Sequence, residues 1–418
     1  MTISNTEVLI VGGGAAGIAA ARRLHDARVP CLLVEARARL GGRSWTITDP
    51  SGFALDLGCG WLHSADRNPW VAIAEQQGRT IDRSPPPWGR PAIGFPPAER
   101  SAFAAALAAF HNRLDAAAES KPDGPASALL EPNCRWNGLI GAISTYMSGV
   151  ELDRLSVLDF ARYHDSEVNW RVTQGLGATI AAHAGDVPVA LDCAVRLIDH
   201  SGARLAIDTT NGTITADRAI ITVPSTVLAQ ESLIFRPALP EKAEAARGLP
   251  LGLADKLFLV LEDAEEFTKD TRLFGRTDRT ATAGYHMRPF GRPMIEAYFG
   301  GNLAAELETG GEAAFVDFAL DELTGVLGSA FARRVKPIAL HSWGTDPFAR
   351  GSYSYALPGR ADCRAILAAP VDERLFFAGE ACSAHDFSTA HGALITGVAA
   401  ADEIIAARRR AASRRSRS

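Results

Sequence analysis

The chain has little cysteine and very little lysine. Its six cysteines are spread over 418 residues and form no C-x-x-C pair, so we expect a reducing compartment rather than a disulfide framework. Of the 43 basic residues only five are lysines, against 38 arginines, a bias that we interpret as genomic composition. The five are Lys121, Lys242, Lys256, Lys269 and Lys336.

Long apolar runs and a large excess of positive charge are also missing. No run approaches the roughly 18 consecutive apolar residues of a membrane span, and the N-terminal MTISNTE lacks the basic start of a signal peptide. We therefore expect no membrane span and a cytoplasmic location. The net charge is −5, or near −11 without the six arginines of the last eleven residues, which argues against a nucleic-acid partner. Residues 408–418 are expected to form a basic, disordered tail.

The first 35 residues predict a βαβ unit with a phosphate-binding turn. A short apolar strand, a glycine-rich turn, an Ala-rich helix and a second strand follow one another between residues 7 and 35. Gly12, Gly14 and Gly17 match G-x-G-x-x-G, where glycines let the backbone approach a pyrophosphate and the helix dipole meets its charge. Glu35 would accept hydrogen bonds from the adenosine ribose. The alternative is a glycine-rich turn of an ordinary α/β domain.

The rest of the chain predicts a mixed fold without a fixed repeat. The Pro-rich segment 84–97 cannot be a helix or a central strand, so it predicts a connection or lid. Asn211-Gly212 predicts a hairpin within a small antiparallel excursion. Helices are predicted at 98–119, 136–150, 312–327 and 391–407, and further strands at 218–223, 256–261 and 293–299.

The segment that follows Glu35 distinguishes FAD from NAD. It reads ARARLGGR and contains Arg37, Arg39, Gly42 and Arg43. Here the sequence resembles the flavin amine oxidase family, which includes monoamine oxidases, polyamine oxidases and a histone demethylase of the same fold. In that family E-A-R-x-R-x-G-G-R forms the second half of the FAD pyrophosphate site. The resemblance therefore implies FAD as the cofactor.

The resemblance extends over nearly the whole chain. It includes LDLGCGWLHS at 55–64, WGTDPFARGSYSYALPG at 343–359 and LFFAGEACSAHDFSTAHGALITG at 375–397. By this resemblance Glu380 would bond the ribityl chain, and the helix start at Gly392 would face the pyrimidine end of the flavin, where reduced flavin carries negative charge. The implied cofactor-binding residues are Gly12, Gly14, Ala16, Gly17, Glu35, Ala36, Arg37, Gly42, Arg43, Gly58, Cys59, Gly60, Trp61, Val195, Trp343, Gly379, Glu380, Gly392 and Ala393.

Two departures from the family concern the flavin and the substrate. Ser352 stands where monoamine oxidases carry the cysteine that tethers the flavin, so we expect noncovalent FAD. Tyr353 matches one wall of the aromatic pair that flanks the amine, but the opposite wall falls on Thr389. Half an aromatic cage is therefore expected. Cys59 and Cys382 are interpreted as small packing residues near the cofactor.

Lys256 and His63 complete the candidate catalytic set with Tyr353 and Trp343. Lys256 interrupts the apolar segment LADKLFLVL, where a charge is costly unless it is paired or lines a cavity. In relatives the lysine at this point holds a water against flavin N5; the alternative is a solvent-facing strand residue.

His63 lies in a W-L-H segment that resembles polyamine oxidases. It could orient the amine or its water, or it could be a histidine beneath the flavin whose hydrogen bonds are all made within the protein. The candidate substrate residues are His63, Tyr353 and Thr389.

The sequence leaves open which charged residues would bind the far end of a substrate. Arg83 or Arg90 could clamp the carboxylate of an amino acid, although in an arginine-rich chain either is more simply a surface residue. Asp165 and Glu167 could bind the second ammonium of a diamine. No metal site is expected.

The predicted fold is α/β, with a Rossmann-like FAD-binding domain (GR2-type) interleaved with a mixed α+β substrate domain. The FAD-binding domain takes residues 1–80, 172–238 and 346–407, and the substrate-binding domain takes 81–171 and 239–345. The active site is expected at their junction.

The resemblance implies an FAD-dependent amine oxidase with a small-molecule amine and oxygen as partners. Hydride would pass from the carbon next to the amine to flavin N5, the imine would be hydrolysed to an aldehyde or ketone, and oxygen would reoxidise the flavin to give hydrogen peroxide. A polyamine or another primary or secondary amine is the expected substrate, and a homodimer is possible. The alternatives are a desaturase or protoporphyrinogen-oxidase-like enzyme acting on an apolar substrate, and a flavin-binding protein without turnover.

Overall fold

The computed structural model describes residues 4–119 and 122–415. The strands are β1 (Asn5–Val11), β2 (Cys31–Val34), β3 (Thr46–Thr48), β4 (Ala54–Asp56), β5 (Ile81–Asp82), β6 (Ala92–Ile93), β7 (Arg171–Val172), β8 (Val189–Ala190), β9 (Val195–Asp199), β10 (Leu205–Thr209), β11 (Gly212–Ile221), β12 (Ile234–Arg236), β13 (Ala254–Leu261), β14 (Thr271–Phe274), β15 (Gly284–Met287), β16 (Met294–Gly300), β17 (Val335–His341) and β18 (Leu375–Phe377). The helices are α1 (Ala15–Asp26), α2 (Pro69–Gln76), α3 (Pro97–Ala118), α4 (Asn137–Ser148), α5 (Val157–Arg162), α6 (Leu176–Ala182), α7 (Ser225–Ala229), α8 (Pro240–Arg247), α9 (Gly301–Leu327), α10 (Cys363–Ala368) and α11 (Ala390–Arg415). Short 3-10 helices lie at Pro87–Gly89, Ala126–Leu129, Ala264–Glu266, Pro289–Gly291, Ser329–Arg334 and Glu380–Cys382.

The first sheet has eight strands in the order β12-β9-β10-β11-β1-β2-β8, with β18 also paired to β11. Strands β18, β11, β1, β2 and β8 are parallel, whereas β9, β10 and β11 form an antiparallel meander. Alternate residues of β1 enter two cores: Val8 and Ile10 pack with α1 and α11, and Leu9 and Val11 lie in the other core. Burial on both faces is typical of a parallel sheet.

The second sheet has six strands in the order β17-β13-β16-β15-β14-β6. All its pairings are antiparallel except that of β14 with β6. One face packs under α9, where Leu257 and Phe299 contact the core that includes Phe315. The strand alternation places Lys256 and Glu296 on the opposite face. That face forms one wall of the cavity described below.

The predicted βαβ unit and the predicted hairpin are confirmed. Strand, helix and second strand follow in the predicted order as β1, α1 and β2, and the Pro-rich segment holds only a 3-10 turn and the two-residue strand β6. The predicted hairpin lies between β10 and β11, which close at Thr209 and Gly212. The helix predicted at 312–327 is the second part of α9, because Gly311, with φ 70° and ψ −167°, interrupts a helix that already begins at Gly301.

The prediction of a disordered basic tail is wrong for residues 408–415. These residues continue α11, because alanine and arginine both favour a helix and Arg408 Nε lies 3.1 Å from Glu7 Oε1. Residues 416–418 lie outside the described part of the chain. By length and composition alone, Ala390–Arg410 of this helix could cross a membrane, with a mean hydropathy of 1.2. Half of that stretch is buried, where it packs on α1, and core helices pass the same test.

The two sheets take their strands from different parts of the chain. Strands of the first sheet lie between residues 5 and 34, 189 and 236, and 375 and 377, and those of the second at 92–93 and between 254 and 341. The domain boundaries themselves stay predictions. Helix α8 lies beyond residue 238, yet Ala245 and Ala246 pack in the core of the first sheet.

Candidate active site

A cavity of about 1680 Å³ lies between the two sheets. The parallel strands β1, β2, β11 and β18 all end at one edge of the first sheet, and the segments that follow them line the cavity. The opposite wall is the face of the second sheet that carries Lys256 and Glu296. Pockets for drug-sized ligands hold roughly 300–1,000 Å³. The cavity is therefore large enough for a dinucleotide and a substrate together.

The glycine-rich turn presents bare backbone to this cavity. Gly12 adopts φ 107°, and Gly14 caps α1 without a side chain to occupy the free N–H groups of the first turn. A Cβ atom at Gly14 would meet no protein atom within 4 Å, whereas one at Gly17 would lie 1.9 Å from the Gly12 carbonyl oxygen. Gly14 and Ala16 line the cavity, but Gly17 does not. Gly17 is thus needed for close packing of the turn, and the cradle for an anion is formed by its neighbours.

Glu35 lies beside the same turn at the end of β2. Its Oε2 accepts a hydrogen bond from Gly13 N at 2.6 Å and its Oε1 accepts one from Arg37 N at 2.8 Å. Each carboxylate oxygen has a second acceptor position. Ala36, Arg37 and Val195 line the cavity around it, so a ribose could reach Glu35.

The ARARLGGR segment closes directly on the glycine-rich turn. Gly41 N donates to Gly13 O at 2.8 Å, and a Cβ atom at Gly42 would lie 3.1 Å from Gly14 Cα. Arg39 lies behind this contact with its guanidinium 4.2 Å from the Trp45 ring, and burial lowers the pKa of Arg39 to about 10. Gly13 and Gly14 of the turn therefore form one surface with Gly41 and Gly42, and the role of this surface in binding a pyrophosphate stays a prediction.

Arg43 and Glu380 join two distant segments at the middle of the cavity. Arg43 Nη1 donates to Glu380 Oε1 at 2.8 Å and to Ser352 O at 2.8 Å. Glu380 also accepts bonds from Ser354 N, Ser354 Oγ and Ser388 N, so its four acceptor positions are all used. A ribityl hydroxyl would have to replace or share one of them, and the predicted role of Glu380 stays a prediction.

The segment after β4 packs against Trp343. A Cβ atom at Gly58 would lie 1.8 Å from Arg43 O and 3.0 Å from Trp343 Cζ2, which leaves no room for a side chain. Trp343 Nε1 donates to Leu57 O at 3.1 Å. Gly58, Gly60, Trp61 and Trp343 line the cavity together.

Cys59 in this segment is a packing residue. Its thiol donates to Ser44 Oγ at 2.8 Å, and burial raises the pKa of Cys59 to about 12. The thiol therefore stays protonated, which agrees with the interpretation from the sequence.

Lys256 is buried, with 4% of its surface exposed, and it lines the cavity. Its Nζ donates to Asp56 O at 3.0 Å and lies 3.0 Å from Glu296 Oε1. An ammonium group has three N–H donors, so one remains for a ligand or a water. The alternative of a solvent-facing strand residue is wrong, because the exposed residue of β13 is Val260.

Glu296 is the partner of Lys256 that the sequence analysis missed. Its carboxylate also lies 3.0 Å from Arg171 Nη1 and 4.0 Å from His286 Nδ1. Burial alone would raise the pKa of Glu296, but Arg171, Lys256 and His286 outweigh it and hold the pKa well below its usual range. The signal in the sequence was an acid inside the apolar segment PMIEAYFG, two residues before Tyr298.

Two tyrosines lie beside Lys256. The Tyr353 hydroxyl donates to Tyr146 O and lies 3.2 Å from the Tyr298 hydroxyl, and Tyr298 is paired with Lys256 across β13 and β16. Burial raises the pKa of Tyr298 to about 12. Both phenols are therefore neutral at pH 7, and Tyr298 is a further cavity residue that the sequence analysis missed.

Thr389 and Ser352 use their hydroxyls within the protein. Thr389 Oγ1 donates to Asp386 O at 2.6 Å and accepts from Gly392 N at 3.0 Å, so that it caps α11. Ser352 Oγ donates to Ala254 O at 3.0 Å. Thr389 lines the cavity, as does Gly379.

The start of α11 reaches the cavity through one of the two predicted residues. Ala393 lines the cavity, whereas Gly392 does not. A Cβ atom at Gly392 would lie 1.9 Å from Asp386 O, so that glycine packs against the preceding loop.

His63 is held in one tautomer. Its Nδ1 lies 2.6 Å from Asn169 Oδ1, an atom that can only accept, so Nδ1 donates and Nε2 is left as an acceptor. Burial lowers the pKa of His63, which keeps the ring neutral. His63 lines the cavity and can accept a hydrogen bond there.

The charged residues predicted for the far end of a substrate differ in their position and in their partners. Arg83 pairs with the exposed Glu75 at 2.6 Å, and Arg90 lines the cavity but donates to Lys269 O at 3.1 Å. Asp165 and Glu167 are exposed and line the cavity, so they lie at its rim. Two arginines that the sequence analysis did not single out, Arg100 and Arg272, also line it.

Together these features define an α/β protein in which a second sheet forms the wall opposite a glycine-rich turn across one large cavity. A family model described as "Flavin containing amine oxidoreductase" matches residues 15–87 and 146–405. The chain belongs to this family and is a flavin-dependent oxidoreductase that acts on amine donors.

Curated relatives and solved structures agree with this assignment. Polyamine oxidase 4 and polyamine oxidase 3 of Oryza sativa subsp. japonica are 29% and 30% identical, over 96% and 94% of this chain and 88% of each relative. Lysine-specific histone demethylase 1 homolog 1 of the same plant is 31% identical over 97% of this chain, which spans only 53% of that protein. A structure of a putrescine oxidase bound to putrescine shares the fold with a TM-score of 0.75 at 18% identity, covering 97% of this chain and 100% of that one.

Proposed function

We propose that the protein is an amine oxidase that binds FAD noncovalently and oxidises a primary or secondary amine, with oxygen as the electron acceptor. The observation that carries the proposal is Lys256, a buried ammonium with one free N–H in the cavity that the glycine-rich turn also lines. Curated polyamine oxidases among the relatives support an amine substrate.

The chain offers groups that fit FAD along the length of the cavity. The open space at Gly14 and the free N–H groups of α1 suit a pyrophosphate, and Glu35 suits the adenosine ribose. The first turn of α11 reaches the cavity through Ala393, where a helix dipole would stabilise negative charge. Ser352 stands at the position of the tethering cysteine, and its hydroxyl is bonded to Ala254, which supports noncovalent binding.

Bound FAD would supply the hydride acceptor for oxidation of the carbon next to the amine, and the products would be the hydrolysed imine and, with oxygen as the electron acceptor, hydrogen peroxide. The residues of the chain orient the reactants. Tyr353 and Tyr298 supply aromatic contact, and the neutral Nε2 of His63 can accept a hydrogen bond from the amine. Lys256 holds a water with its free N–H.

The uncharged groups around the reaction site favour a neutral amine. Burial raises the pKa of both tyrosines and lowers that of His63, so none of the three carries a charge at pH 7. A neutral amine has the lone pair that assists departure of hydride from the adjacent carbon. A desaturase acting on an apolar substrate would need neither Lys256 nor Tyr353.

The test is anaerobic reduction of the purified yellow protein by a panel of polyamines, aryl amines and amino acids, followed by a peroxide assay in air. We expect at least one amine to bleach the flavin absorbance and to yield peroxide. Denaturation should release free FAD, which distinguishes noncovalent from covalent binding. Bleaching by none of the amines, with turnover of a polyene or porphyrinogen instead, would contradict the proposal.

A further inference from the structure

Two arginines at the end of the cavity away from the glycine-rich turn have no acidic partner. Arg43, Arg171 and Arg364 each lie within 3.0 Å of a carboxylate oxygen. In contrast, no carboxylate among residues 4–119 and 122–415 lies within ion-pair distance of Arg100 or Arg272. The Nε atoms of both are buried and have no hydrogen-bond partner among those residues. Both side chains are half-buried, and a buried N–H without an acceptor is costly, so these atoms call for a ligand.

Both arginines flank the same aromatic cluster. Arg272 lies over the Phe274 ring at 4.1 Å on one face of β14, and Phe103 is one turn from Arg100 on one face of α3. Phe95 joins the two sets, because its ring lies 6.0 Å from Phe274 and 6.1 Å from Phe103. Arg100 and Arg272 therefore border one aromatic end of the cavity, and we call this pair the arginine end.

The arginine end lies at a distance from Lys256 that the sheet fixes. Strands β13, β16, β15 and β14 are consecutive neighbours, and Lys256 is in register with Phe274, two residues from Arg272. The Cα atoms of Lys256 and Arg272 are therefore about 16 Å apart. The carboxyl and amino groups of an α-amino acid are too close together to span this distance. A chain of several methylene groups would pass over Gly284 and Tyr298, which lie in register between Lys256 and Phe274 on the same face.

Charge is distributed unevenly along the cavity. Asp165 acts electrostatically on His63 and lies with Glu167 at the rim, which attracts a cationic amine toward the reaction site. Arg90 also lines the cavity, two residues before Ala92, which pairs with Arg272, and it adds a third positive side chain near the arginine end. Burial lowers the pKa of Arg272 to about 10, so it remains charged at pH 7.

We propose that Arg272 and Arg100 bind a carboxylate, and that the substrate is an amine whose chain carries a carboxylate several bonds from the oxidised carbon. This inference rests on the proposed amine oxidation and narrows its substrate class. A diamine or polyamine of the same length would place an ammonium against two guanidinium groups and would be a poor substrate.

Binding of the anion is tested without turnover. Isothermal calorimetry compares octanoate with its neutral analogue octanamide on the FAD-loaded enzyme, and hexyl phosphate serves as a second anion. We expect octanoate to bind roughly 10- to 100-fold more tightly than octanamide, the range of charge-assisted hydrogen bonds. Arg272→Met should abolish the difference, and Arg100→Met on the separate helix α3 should reduce it. Arg276→Met is the matched control, since Arg276 is exposed and paired with Asp278.

Turnover then separates this inference from the proposed function. The ratio of kcat/KM for 8-aminooctanoate to that for octylamine should exceed ten in the wild type and fall roughly 10- to 100-fold in Arg272→Met. Equal binding of octanoate and octanamide, or tighter binding of hexyl phosphate than of octanoate, would overturn the carboxylate site. If octanoate binds as expected but no amine bleaches the flavin, the proposed function fails and the carboxylate site stands.

Discussion

Lys256 is fixed by two acceptors and keeps one N–H for the cavity. Asp56 O and Glu296 Oε1 lie at 3.0 Å each, and Arg171 on the far side of Glu296 balances the second carboxylate oxygen. A buried lysine without such partners would lose its proton or destabilise the fold. The arrangement therefore holds the Lys256 side chain in one orientation toward the cavity.

We expect Lys256→Met to slow reoxidation of the reduced flavin by oxygen roughly 10- to 100-fold, because the ammonium whose free N–H is proposed to hold a water is lost. Reduction by substrate should change much less. Stopped-flow absorbance under anaerobic and aerobic conditions measures the two steps separately. Lys336→Met is the control, since Lys336 is exposed and pairs with Glu262. Unchanged reoxidation in Lys256→Met would refute the assigned role.

Sequence reasoning found Lys256 because a charge in an apolar strand is costly wherever the strand lies. Glu296 carried the same signal in PMIEAYFG but was missed, since its meaning depends on the register that places it beside Lys256. Arg100 and Arg272 had no signal among 38 arginines. Their lack of an acidic partner is visible only once the fold has placed the other acids.

The glycines of the glycine-rich turn and α1 have two different structural roles. Gly14 faces open space, whereas Gly17 touches the Gly12 carbonyl. The motif could be predicted from the sequence because a βαβ unit is built from neighbouring residues. The sequence does not predict which glycine faces the cavity and which packs against the protein. That difference depends on contacts with Thr222 and with ARARLGGR, which lie elsewhere in the chain.

We expect Gly14→Ala to fold normally and to bind FAD poorly. The residue has φ −81°, which alanine adopts freely, and the new Cβ meets no protein atom but enters the space proposed for the pyrophosphate. The stability of the FAD-free protein should stay within about 0.5 kcal/mol, while the Kd for FAD rises. Urea unfolding and fluorescence titration measure the two quantities.

Gly17→Ala is the matched comparison for this element. Its Cβ would lie 1.9 Å from Gly12 O, so the FAD-free protein should lose about 1–3 kcal/mol of stability. Tight FAD binding by Gly14→Ala, or full stability of Gly17→Ala, would contradict the geometry proposed for the turn.

The molecule as a whole is held together by contacts between segments far apart in sequence. Asp159 and Arg364 form a buried, bidentate ion pair at 2.6 and 2.8 Å, and Asp159 also accepts from Ala356 N. Arg364 donates to Ser354 Oγ, which in turn donates to Glu380. The pair thus connects α5 with the segment that lines the middle of the cavity.

We expect Asp159→Asn to destabilise the whole protein by about 3–5 kcal/mol, because it leaves the Arg364 guanidinium buried without its counter-charge. Arg364 would then draw on Ser354 and Ala381 O, so the bonds that position Glu380 should weaken and the affinity for FAD should fall as well. Urea unfolding of the FAD-free protein measures the loss of stability, and titration with FAD measures the loss of affinity.

Asp362→Asn is the control, since its pair with Arg162 is exposed and should contribute less than about 1 kcal/mol. If Asp159→Asn were as stable as Asp362→Asn, the buried pair would not hold the two segments together. Loss of stability without loss of FAD affinity would instead confine its role to the fold.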